Sequence, residues 1–517
     1  MALPSAESLA PYRFVVVPAA VLVVSALLLF TRSSRRRRRR SQPYPPSPAS
    51  LPIIGHAHLL MSAESPYVGL TEIGEQLQGD IFRIVLGATT NVVVSDPLWV
   101  QKAFLGEGLN YACRPEDQTL DIFPESLIFS KFGPRVIRTR KMLHNFVSAP
   151  VALKALEDSI IRQERLETLR ALLSWPSSQQ CIAKELMTRC TLNVIAQLTL
   201  GRRWDDPSDP ELLRLRNLLD SDYKTFAEFN LANMYPMLKP LPLQAKRNLQ
   251  KLRQKAIPIF SDLIGKVRQQ RAEGNAAAEE SFVGSLLKIQ EAGGDDSMTD
   301  TEMVMLLSDM LTAGSDTTAI TLTCLIGAVI CDPEIQRKAQ EELDAVLGNS
   351  RLPSMEDLPN LPYLNALVLE TLRKYPVIPL VARRSAKDTE IAGYAIDEGD
   401  VVIANIWSIH HNPKLWTSPN TYDPSRFLHS DESSRINQPS NMFAFGEGRR
   451  VCPGMKLAKQ EVFLVAGALL QCFEFSSGRE DGALPDLKLH FGISCCPSPF
   501  PIAFKLRPDR EHLIREE

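Results

Sequence analysis

The chain has 517 residues, of which 23% are charged and 44% hydrophobic, proportions that exclude a wholly disordered protein and allow a large buried core. Its 58 basic and 60 acidic residues give a formal net charge of -2, which argues against a nucleic-acid-binding surface spread over the whole molecule. The nine cysteines lack the even count and close spacing of a disulfide framework or zinc site, so most should be buried apolar side chains in a cytosol-facing body.

The first element is an uncharged apolar run of 17 residues, Phe14 to Phe30, which is followed by seven arginines within residues 32–40. A membrane-spanning helix needs roughly 17 to 25 such residues. A cleaved signal peptide and, for the arginines alone, a nuclear or nucleic-acid tag are the alternatives. Because the charges follow the apolar run and no A-x-A-like cleavage site precedes them, we expect a signal anchor at 14–31. The positive-inside rule then places residues 1–13 in the lumen and the body in the cytosol.

The next segment, SQPYPPSPASLPIIG, carries five prolines and predicts an extended spacer, so that residues 32–52 form a linker before one large domain at 53–517. The stretch GDIFRIVLGATTNVVVSDP, from Gly79, predicts a pair of strands around a turn. Helical patterns occupy most of residues 97–375, and strand signals return between Asp388 and Trp407. The expected fold class is mainly α with small β-sheets.

One long apolar pattern predicts a central buried helix of roughly 45 Å. It begins with a capping-box sequence, Thr299 to Glu302, and ends at Asp332 and Pro333. Its middle, residues 313–318, is AGSDTT, a cluster of poor helix formers whose hydroxyls can bond to backbone carbonyls and bend or open the helix. A glycine packed closely against a neighbouring element is the alternative explanation.

Further along the chain, LETLRKYP places Glu370 and Arg373 on one face of a helix that starts near Pro362. A Glu-x-x-Arg pattern arises by chance about twice in a chain of this length, so it carries no functional weight by itself.

The most specific pattern is FAFGEGRRVCPG at residues 443–454, which sets Cys452 among glycines and arginines. Glycines at 446, 448 and 454 would allow a tight turn and a close approach of the backbone. The apolar helix predicted after it would place the cysteine at a helix N-terminus, where the helix dipole lowers the pKa of a thiol. Five fixed positions of this kind coincide by chance on the order of once per several thousand chains, which disfavours an ordinary buried cysteine.

Phe445, Gly448, Arg450, Cys452 and Gly454 resemble the haem-binding signature of the cytochrome P450 family. The resemblance implies a haem-thiolate fold with haem b as cofactor and Cys452 as the axial thiolate ligand of its iron. It further implies that Phe445 packs beside this ligand and that Arg450 binds a haem propionate.

Three other motifs occur in the order of that family. The AGSDTT hexad resembles its oxygen-binding groove, which implies that Thr317 hydrogen-bonds dioxygen and Asp316 relays protons through water. Glu370, Arg373 and the arginine of the YDPSRF motif, Arg426, resemble its buried structural ion-pair network, although Ser425 stands where the family usually has a glutamate.

Two further arginines are implied as propionate ligands. Arg140 has the position of one on a helix, but Val136 replaces the aromatic residue usual four positions earlier. Either Arg383 or Arg384 has the position of the other, and counting back from Asp388 favours Arg383. Exposure to solvent is the alternative for each of these arginines.

The resemblance is to the membrane-bound eukaryotic type, which implies a single-pass protein of the endoplasmic reticulum membrane that is reduced by an NADPH-dependent flavoprotein. The expected activity is a monooxygenase that uses dioxygen on a small apolar substrate of secondary or lipid metabolism, with no nucleic acid as partner. A haem-thiolate isomerase or dehydratase acting on a peroxide, and a non-enzymatic haem binder or sensor, are the alternatives. Substrate-facing residues are implied in residues 106–130 and 226–242, after Pro376 and near Ile493.

Overall fold

The computed structural model describes residues 42–176, 178–227, 230–294, 296–428 and 439–515. The expected anchor at 14–31 and the arginine run lie outside these ranges. Within them, Asp300–Cys331 is the one helix long and apolar enough to cross a membrane, and it is largely buried inside the body. None of the nine cysteines, all of which lie in the described ranges, forms a disulfide.

Helices make up most of the body, which confirms the predicted fold class. Short 3₁₀ or π turns lie at Lys102–Gly106, Glu157–Ile161, Pro236–Leu238, Met355–Asn360, Pro424–Phe427 and Gly448–Arg450. The α-helices of the described residues, in chain order, are α1 (Ala57–Met61), α2 (Pro66–Gln76), α3 (Pro97–Gln101), α4 (Gln118–Ile122), α5 (Pro134–Val147), α6 (Pro150–Leu156), α7 (Arg162–Leu173), α8 (Ala183–Leu200), α9 (Pro210–Ala227), α10 (Leu231–Met234), α11 (Gln244–Ala272), α12 (Ala276–Glu280), α13 (Phe282–Ala292), α14 (Asp300–Cys331), α15 (Pro333–Val346), α16 (Pro362–Lys374), α17 (Ile406–His410), α18 (Met455–Cys472) and α19 (Glu511–Arg515).

The strands form small sheets beside the helices. They are β1 (Ile81–Leu86), β2 (Thr89–Val94), β3 (Cys181–Ile182), β4 (Leu380–Arg384), β5 (Thr389–Ile391), β6 (Tyr394–Ile396), β7 (Val401–Asn405), β8 (Phe473–Ser477), β9 (Leu489–His490), β10 (Cys496–Pro497) and β11 (Pro501–Leu506). The described strands are ordered β1-β2-β7-β4, β3-β11-β8, β9-β10 and β5-β6.

The first of these sheets joins the two strand regions predicted from the sequence. β1 and β2 form an antiparallel hairpin in which Leu86 faces Thr89 across a two-residue turn. Gly87 occupies that turn with φ +60°, a left-handed conformation that favours glycine. β2 then pairs in parallel with β7, whereas β4, which the sequence did not signal, pairs with the other edge of β7.

The long helix α14 is the buried centre of the body, as predicted. The Thr299 hydroxyl accepts from the Glu302 amide, and the Glu302 carboxylate accepts from the Thr299 amide, so the predicted capping box is present. After Cys331, the Asp332 carboxylate caps the start of α15. The side chains of α14 are buried on almost every side, against α8 and α18 among other elements.

The middle of α14 stays helical, so its hydroxyls bond to backbone carbonyls, as predicted, without opening the helix. The Ser315 and Thr317 hydroxyls each donate at 2.7 Å to the carbonyl four residues earlier, which satisfies them without breaking the backbone ladder. Gly314 serves close packing instead, because a Cβ there would lie 2.9 Å from Cγ1 of Ile195 on α8.

The proline-rich segment is extended but packs on the first sheet. The Tyr44 hydroxyl donates to the Asp397 carboxylate at 3.0 Å, and its ring lies 5.2 Å from the Arg83 guanidinium. The Arg83 amide donates to the Pro46 carbonyl at 2.7 Å. The part of the expected linker at 32–52 that the structure describes, from residue 42 onward, is therefore in contact with the body.

Two glycine-to-alanine substitutions in helices should have opposite effects on stability. Gly314→Ala should lower the melting temperature, because its methyl group would press on Ile195. Gly265→Ala on α11 should raise stability by about 0.5–1 kcal/mol, because nothing lies near that position and alanine favours the helix. Thermal unfolding of both variants and of the unmodified protein measures the difference, and a destabilised Gly265→Ala variant would contradict this account.

Candidate active site

The cysteine loop, residues 443–454, turns tightly at two glycines. Gly446 and Gly448 have φ values of +71° and +72°. A Cβ at Gly448 would lie 1.7 Å from the Phe104 carbonyl oxygen, so no other residue fits there without moving the backbone. At Gly454 the described atoms impose no such requirement, since φ is -89° and nothing lies within 4 Å of the place that a Cβ would take.

Cys452 lies just ahead of α18, which begins at Met455 with Gly454 as its N-cap. The Cys452 amide donates to the Phe445 carbonyl at 3.0 Å and closes the loop. Burial raises the pKa of the Cys452 thiol, while the Gly454 amide and Arg140 act in the opposite direction. The net direction is opposite to the predicted one, because desolvation of the sulfur outweighs the helix terminus.

Four arginines form a cluster beside the cysteine loop. Arg383 and Arg450 are buried, and Arg114 and Arg140 are half-buried. Burial and mutual repulsion lower the pKa of Arg114 and Arg450 to about 10 and that of Arg383 well below its usual value. Within the described ranges, no carboxylate forms a salt bridge with any of the four. Because a buried cation without a negatively charged partner is costly, this cluster fits a ligand that carries carboxylates.

The two candidate arginines of β4 lie in different surroundings. Arg383 is inside the cluster, with its guanidinium 5.5 Å from the centre of the Phe104 ring. Arg384 is half-exposed and lies 3.4 Å from the Glu116 carboxylate. Arg114 was missed by sequence reasoning, because it lies in irregular chain where no periodicity or motif distinguishes it from the other basic residues.

Arg450 also holds the chain that precedes α5. Its guanidinium donates to the carbonyls of Ala112 at 2.9 Å, Leu127 at 3.1 Å and Ser130 at 2.7 Å. Arg140 on α5 donates to the Val451 carbonyl and so joins that helix to the cysteine loop. Phe445 lies near Lys459, whose ammonium group is 5.7 Å from the ring centre.

On α14 the two candidate proton-transfer residues lie on different faces. Ala313, which is exposed, and Thr317, which is partly exposed, share one face of a helix whose residues are mostly buried. Asp316 is buried on another face, where its Oδ1 lies 3.0 Å from Nζ of Lys184 at the start of α8. Burial raises the pKa of Asp316, and Lys184 partly opposes that shift. Lys184 was missed because only tertiary packing brings α8 to this point.

The structure brings Glu370, Arg373 and Arg426 into one buried cluster. Glu370 binds Arg373 through two hydrogen bonds of 2.7 and 2.8 Å and accepts from Arg426 Nε at 3.1 Å. The side chains of Glu370 and Arg373 have no exposed surface. Ser425 lies outside the cluster and bonds to the Asp423 carboxylate instead.

His410, which sequence reasoning missed, links this cluster to the cysteine loop. Arg373 donates to the His410 carbonyl at 2.6 Å, and the His410 ring bonds to the Arg373 carbonyl through Nδ1 at 3.2 Å. Its Nε2 accepts from the amide of Phe443, the first residue of the loop, at 3.0 Å. Burial lowers the pKa of His410 to about 3, so the ring is neutral and can accept that bond. The ion-pair cluster therefore positions the start of the cysteine loop.

Comparisons with known proteins agree on one family. Residues 45–504 match the family model described as Cytochrome P450. The chain is 30% identical over 487 residues to "Steroid 17-alpha-hydroxylase/17,20 lyase" of Ictalurus punctatus, covering 92% of this chain and 93% of that protein. It is 30% identical over 460 residues to "2-hydroxyisoflavanone synthase" of Glycyrrhiza uralensis, covering 84% of each.

A solved structure shows the same fold. The structure described as "Zebra fish cytochrome P450 another structure with Abiraterone" superposes with a TM-score of 0.71 at 27% identity, covering 86% of this chain and 100% of that one.

Removing the central charge of the ion-pair cluster should destabilise the fold strongly. Glu370→Gln would leave two buried guanidinium groups without a counter-charge, which should cost about 3–5 kcal/mol. Glu334→Gln is the matched control, because Glu334 pairs with Arg337 on the exposed face of α15 and its loss should change little. Chemical denaturation measures both, and equal effects of the two substitutions would contradict a structural role for the cluster.

Proposed function

Because this chain belongs to the cytochrome P450 family, we propose that it uses electrons from an NADPH-dependent flavoprotein reductase and dioxygen to oxidise a small, apolar, polycyclic or lipid-like substrate. The family establishes a monooxygenase-type oxidoreductase with a haem cofactor held by a cysteine thiolate. The observation that carries the proposal for this chain is the cluster of four arginines, which form no salt bridge with a described carboxylate, beside the Cys452 thiol.

Cys452 is the residue proposed to ligate the haem iron. The haem, when bound, supplies an iron whose thiolate ligand favours cleavage of the O–O bond. A coordinated metal ion deprotonates a thiol outright, so ionisation of Cys452 does not depend on the helix terminus. Arg114, Arg140, Arg383 and Arg450 are proposed to offset the charge of the two propionates, as guanidinium groups pair well with carboxylates.

Thr317 and Asp316 are proposed to conduct protons into the distal side of the site. Lys184, 30% exposed, connects Asp316 to solvent. Because Asp316 and Thr317 lie on different faces of α14, water must carry the proton between them. The Thr317 hydroxyl donates to the Ala313 carbonyl, which leaves its oxygen free to accept a hydrogen bond from such a water.

The substrate is proposed to lie against an aromatic cluster that joins two of the implied substrate-facing segments. The Phe226 ring centre is 5.6 Å from that of Phe123 and 4.9 Å from that of Phe129. Such a surface suits a flat apolar molecule. Two relatives are named for steroid and isoflavanone chemistry, which supports a polycyclic class of substrate.

The reductase is proposed to dock over the cysteine loop. Lys141 on α5, Arg449 in the loop and Lys456 on α18 are exposed around it, and Ile137 exposes an apolar side chain beside them. Basic and apolar groups together suit an acidic partner surface. The anchor proposed at residues 14–31 would hold the body at the cytosolic face of the endoplasmic reticulum, beside a membrane-bound reductase.

The alternative, an isomerase or dehydratase acting on a peroxide substrate, is disfavoured by the presence of Asp316 and Thr317.

Turnover of a substrate in the presence of reductase, NADPH and oxygen, and its loss without oxygen, tests the proposal. A carbon monoxide difference spectrum of the reduced protein, lost in Cys452→Ser, tests the ligand. Product formed without oxygen from a hydroperoxide would favour the alternative.

Thr317→Ala should uncouple oxygen consumption from product formation, because protons would no longer be delivered in an ordered way. We expect severalfold more hydrogen peroxide per NADPH and a product yield reduced about tenfold, measured together in one reconstituted assay. Thr321→Ala, one turn along the same helix, is the control and should stay coupled. Equal coupling of Thr317→Ala and the unmodified enzyme would remove the function proposed for this hydroxyl.

Reversing the charge of basic residues around the cysteine loop should weaken binding of the reductase and so slow reduction of the protein. Lys141→Glu combined with Arg449→Glu should raise the KM for reductase about tenfold at low salt, with less difference at high salt, because the attraction is screened. Lys488→Glu, which changes a lysine on the β9 side of the molecule, is the control. Steady-state kinetics at varied reductase concentration measure the change, and an unchanged KM for the double variant would place the docking surface elsewhere.

A further inference from the structure

The segment of residues 123–130, the clasp loop, is bonded to a carboxylate on the long helix. Asp309 of α14 accepts from the Ser126 hydroxyl at 2.8 Å and from the Leu127 amide at 2.5 Å. The Ile128 amide lies 3.4 Å from the same carboxylate, at the limit of a hydrogen bond. Three donors from consecutive residues of the clasp loop thus converge on one acidic side chain.

The same loop is bonded to two cofactor-side arginines through its carbonyls. Arg450 donates to the carbonyls of Leu127 and Ser130, and Arg114 Nε donates to the Ile128 carbonyl at 2.9 Å. The peptide group between Leu127 and Ile128 therefore has its oxygen on Arg450 and its N–H toward Asp309. A peptide placed between a cation and an anion is polarised by both, which strengthens each bond.

Asp309 lies on the face of α14 that also carries Ala313 and Thr317, since the three are spaced by four residues. It is roughly 12 Å along the helix from Thr317. The clasp loop carries Phe123 and Phe129, which contact Phe226. One carboxylate thus connects the long helix, the aromatic cluster and the arginines.

The outer end of the clasp loop is held separately. Glu125 forms two hydrogen bonds with Arg253 of α11, at 2.7 and 3.1 Å. Arg135 of α5 donates to the carbonyls of Glu125 and Pro124 at 2.5 Å. These contacts fix the loop to α5 and α11, whereas the hydrogen bonds to Asp309 fix it to α14.

Keeping an acid at this position is costly. Asp309 is partly exposed, yet desolvation raises its pKa to about 7, and the Ser126 hydroxyl, the Leu127 and Ile128 amides and the charge of Arg135 oppose that rise. In the described part of the chain, no lysine or arginine forms a salt bridge with it. The hydrogen bonds to the clasp loop offset part of the desolvation cost of this carboxylate.

We propose that Asp309 is a positioning and specificity-determining residue, which holds the clasp loop in one place between α14 and the arginines Arg114 and Arg450. Through the loop it sets both the aromatic wall of the substrate cavity and the direction of two guanidinium groups toward the cofactor carboxylates. The inference rests on the proposed function for the identity of the substrate cavity and the propionate partners.

The test compares Asp309→Ala, Asp309→Asn and Ser126→Ala in the full-length, haem-loaded protein. Asp300→Ala removes an acid from the exposed first turn of the same helix and is the matched control. Hydrogen–deuterium exchange of the peptide that covers residues 123–132 reads the loop directly. We expect exchange at Leu127 and Ile128 to be at least about tenfold faster in Asp309→Ala, with smaller increases in Asp309→Asn and Ser126→Ala, and no change in Asp300→Ala.

Two further measurements test whether the clasp loop affects haem binding and ligand selectivity. The rate of haem transfer to apomyoglobin should rise severalfold in Asp309→Ala, because Arg114 and Arg450 lose their fixed support. The haem spin shift across a panel of flat polycyclic compounds should become weaker and less selective. Neither readout requires reductase or turnover, so each stands even if the proposed monooxygenase activity is not found.

Unchanged exchange in Asp309→Ala would overturn the proposal. Faster exchange with unchanged haem transfer and unchanged ligand selectivity would overturn it as well. Asp309 would then hold the loop without affecting the cofactor or the substrate cavity. If Asp309→Ala does not fold, Ser126→Ala decides the question by the same three readouts, because it removes one donor and leaves the acid in place.

Discussion

The organisation of the site depends on buried positive charge that forms no salt bridge with a carboxylate of the described residues. Arg383 and Arg450 are buried beside Arg114 and Arg140, and their lowered pKa values reflect both desolvation and mutual repulsion. Backbone carbonyls and the Phe104 ring compensate this charge only in part. We propose that the remaining compensation comes from the cofactor, since the haem of this family carries two carboxylates. Binding of the cofactor and stability of the fold are therefore linked, since a ligand that binds only the folded state stabilises it.

A second set of buried charges positions the sulfur. Glu370 and Arg373 are fully buried, and Arg373 is joined through His410 to Phe443 at the start of the cysteine loop. A neutral imidazole suits this bridge, because its two nitrogens can bond to a carbonyl and an amide at once. The loop thus receives its position from a cluster on α16 and the chain after α17, while Gly446 and Gly448 give it the turn that lets Cys452 precede α18.

Different faces of the long helix α14 carry residues with different contacts. Asp309 and Thr317 lie along one face, where the first holds the clasp loop and the second is proposed to bind water near the reacting atoms. Asp316 points elsewhere and meets Lys184. In the proposed function, this separation would keep a buried acid out of the substrate cavity, while Lys184 connects it to solvent. The polar residues Ser315, Asp316 and Thr317 are tolerated in the middle of α14 because each has its own partner.

Features that depend on neighbours along the chain could be predicted from the sequence: the capping box at Thr299, the hairpin turn at Gly87, the helix after Gly454 and the five-position cysteine motif that indicated the family. They follow from local hydrogen bonds, backbone conformation and periodicity. Which charges meet could not be predicted in this way, because tertiary packing sets it. Arg114, Lys184 and His410 have partners far away in the sequence. Arg383 is buried and Arg384 is half-exposed because adjacent residues of a strand point to opposite sides of the sheet. The pKa of Cys452 rises because packing removes water from the sulfur, and no local pattern records how much water a folded chain excludes.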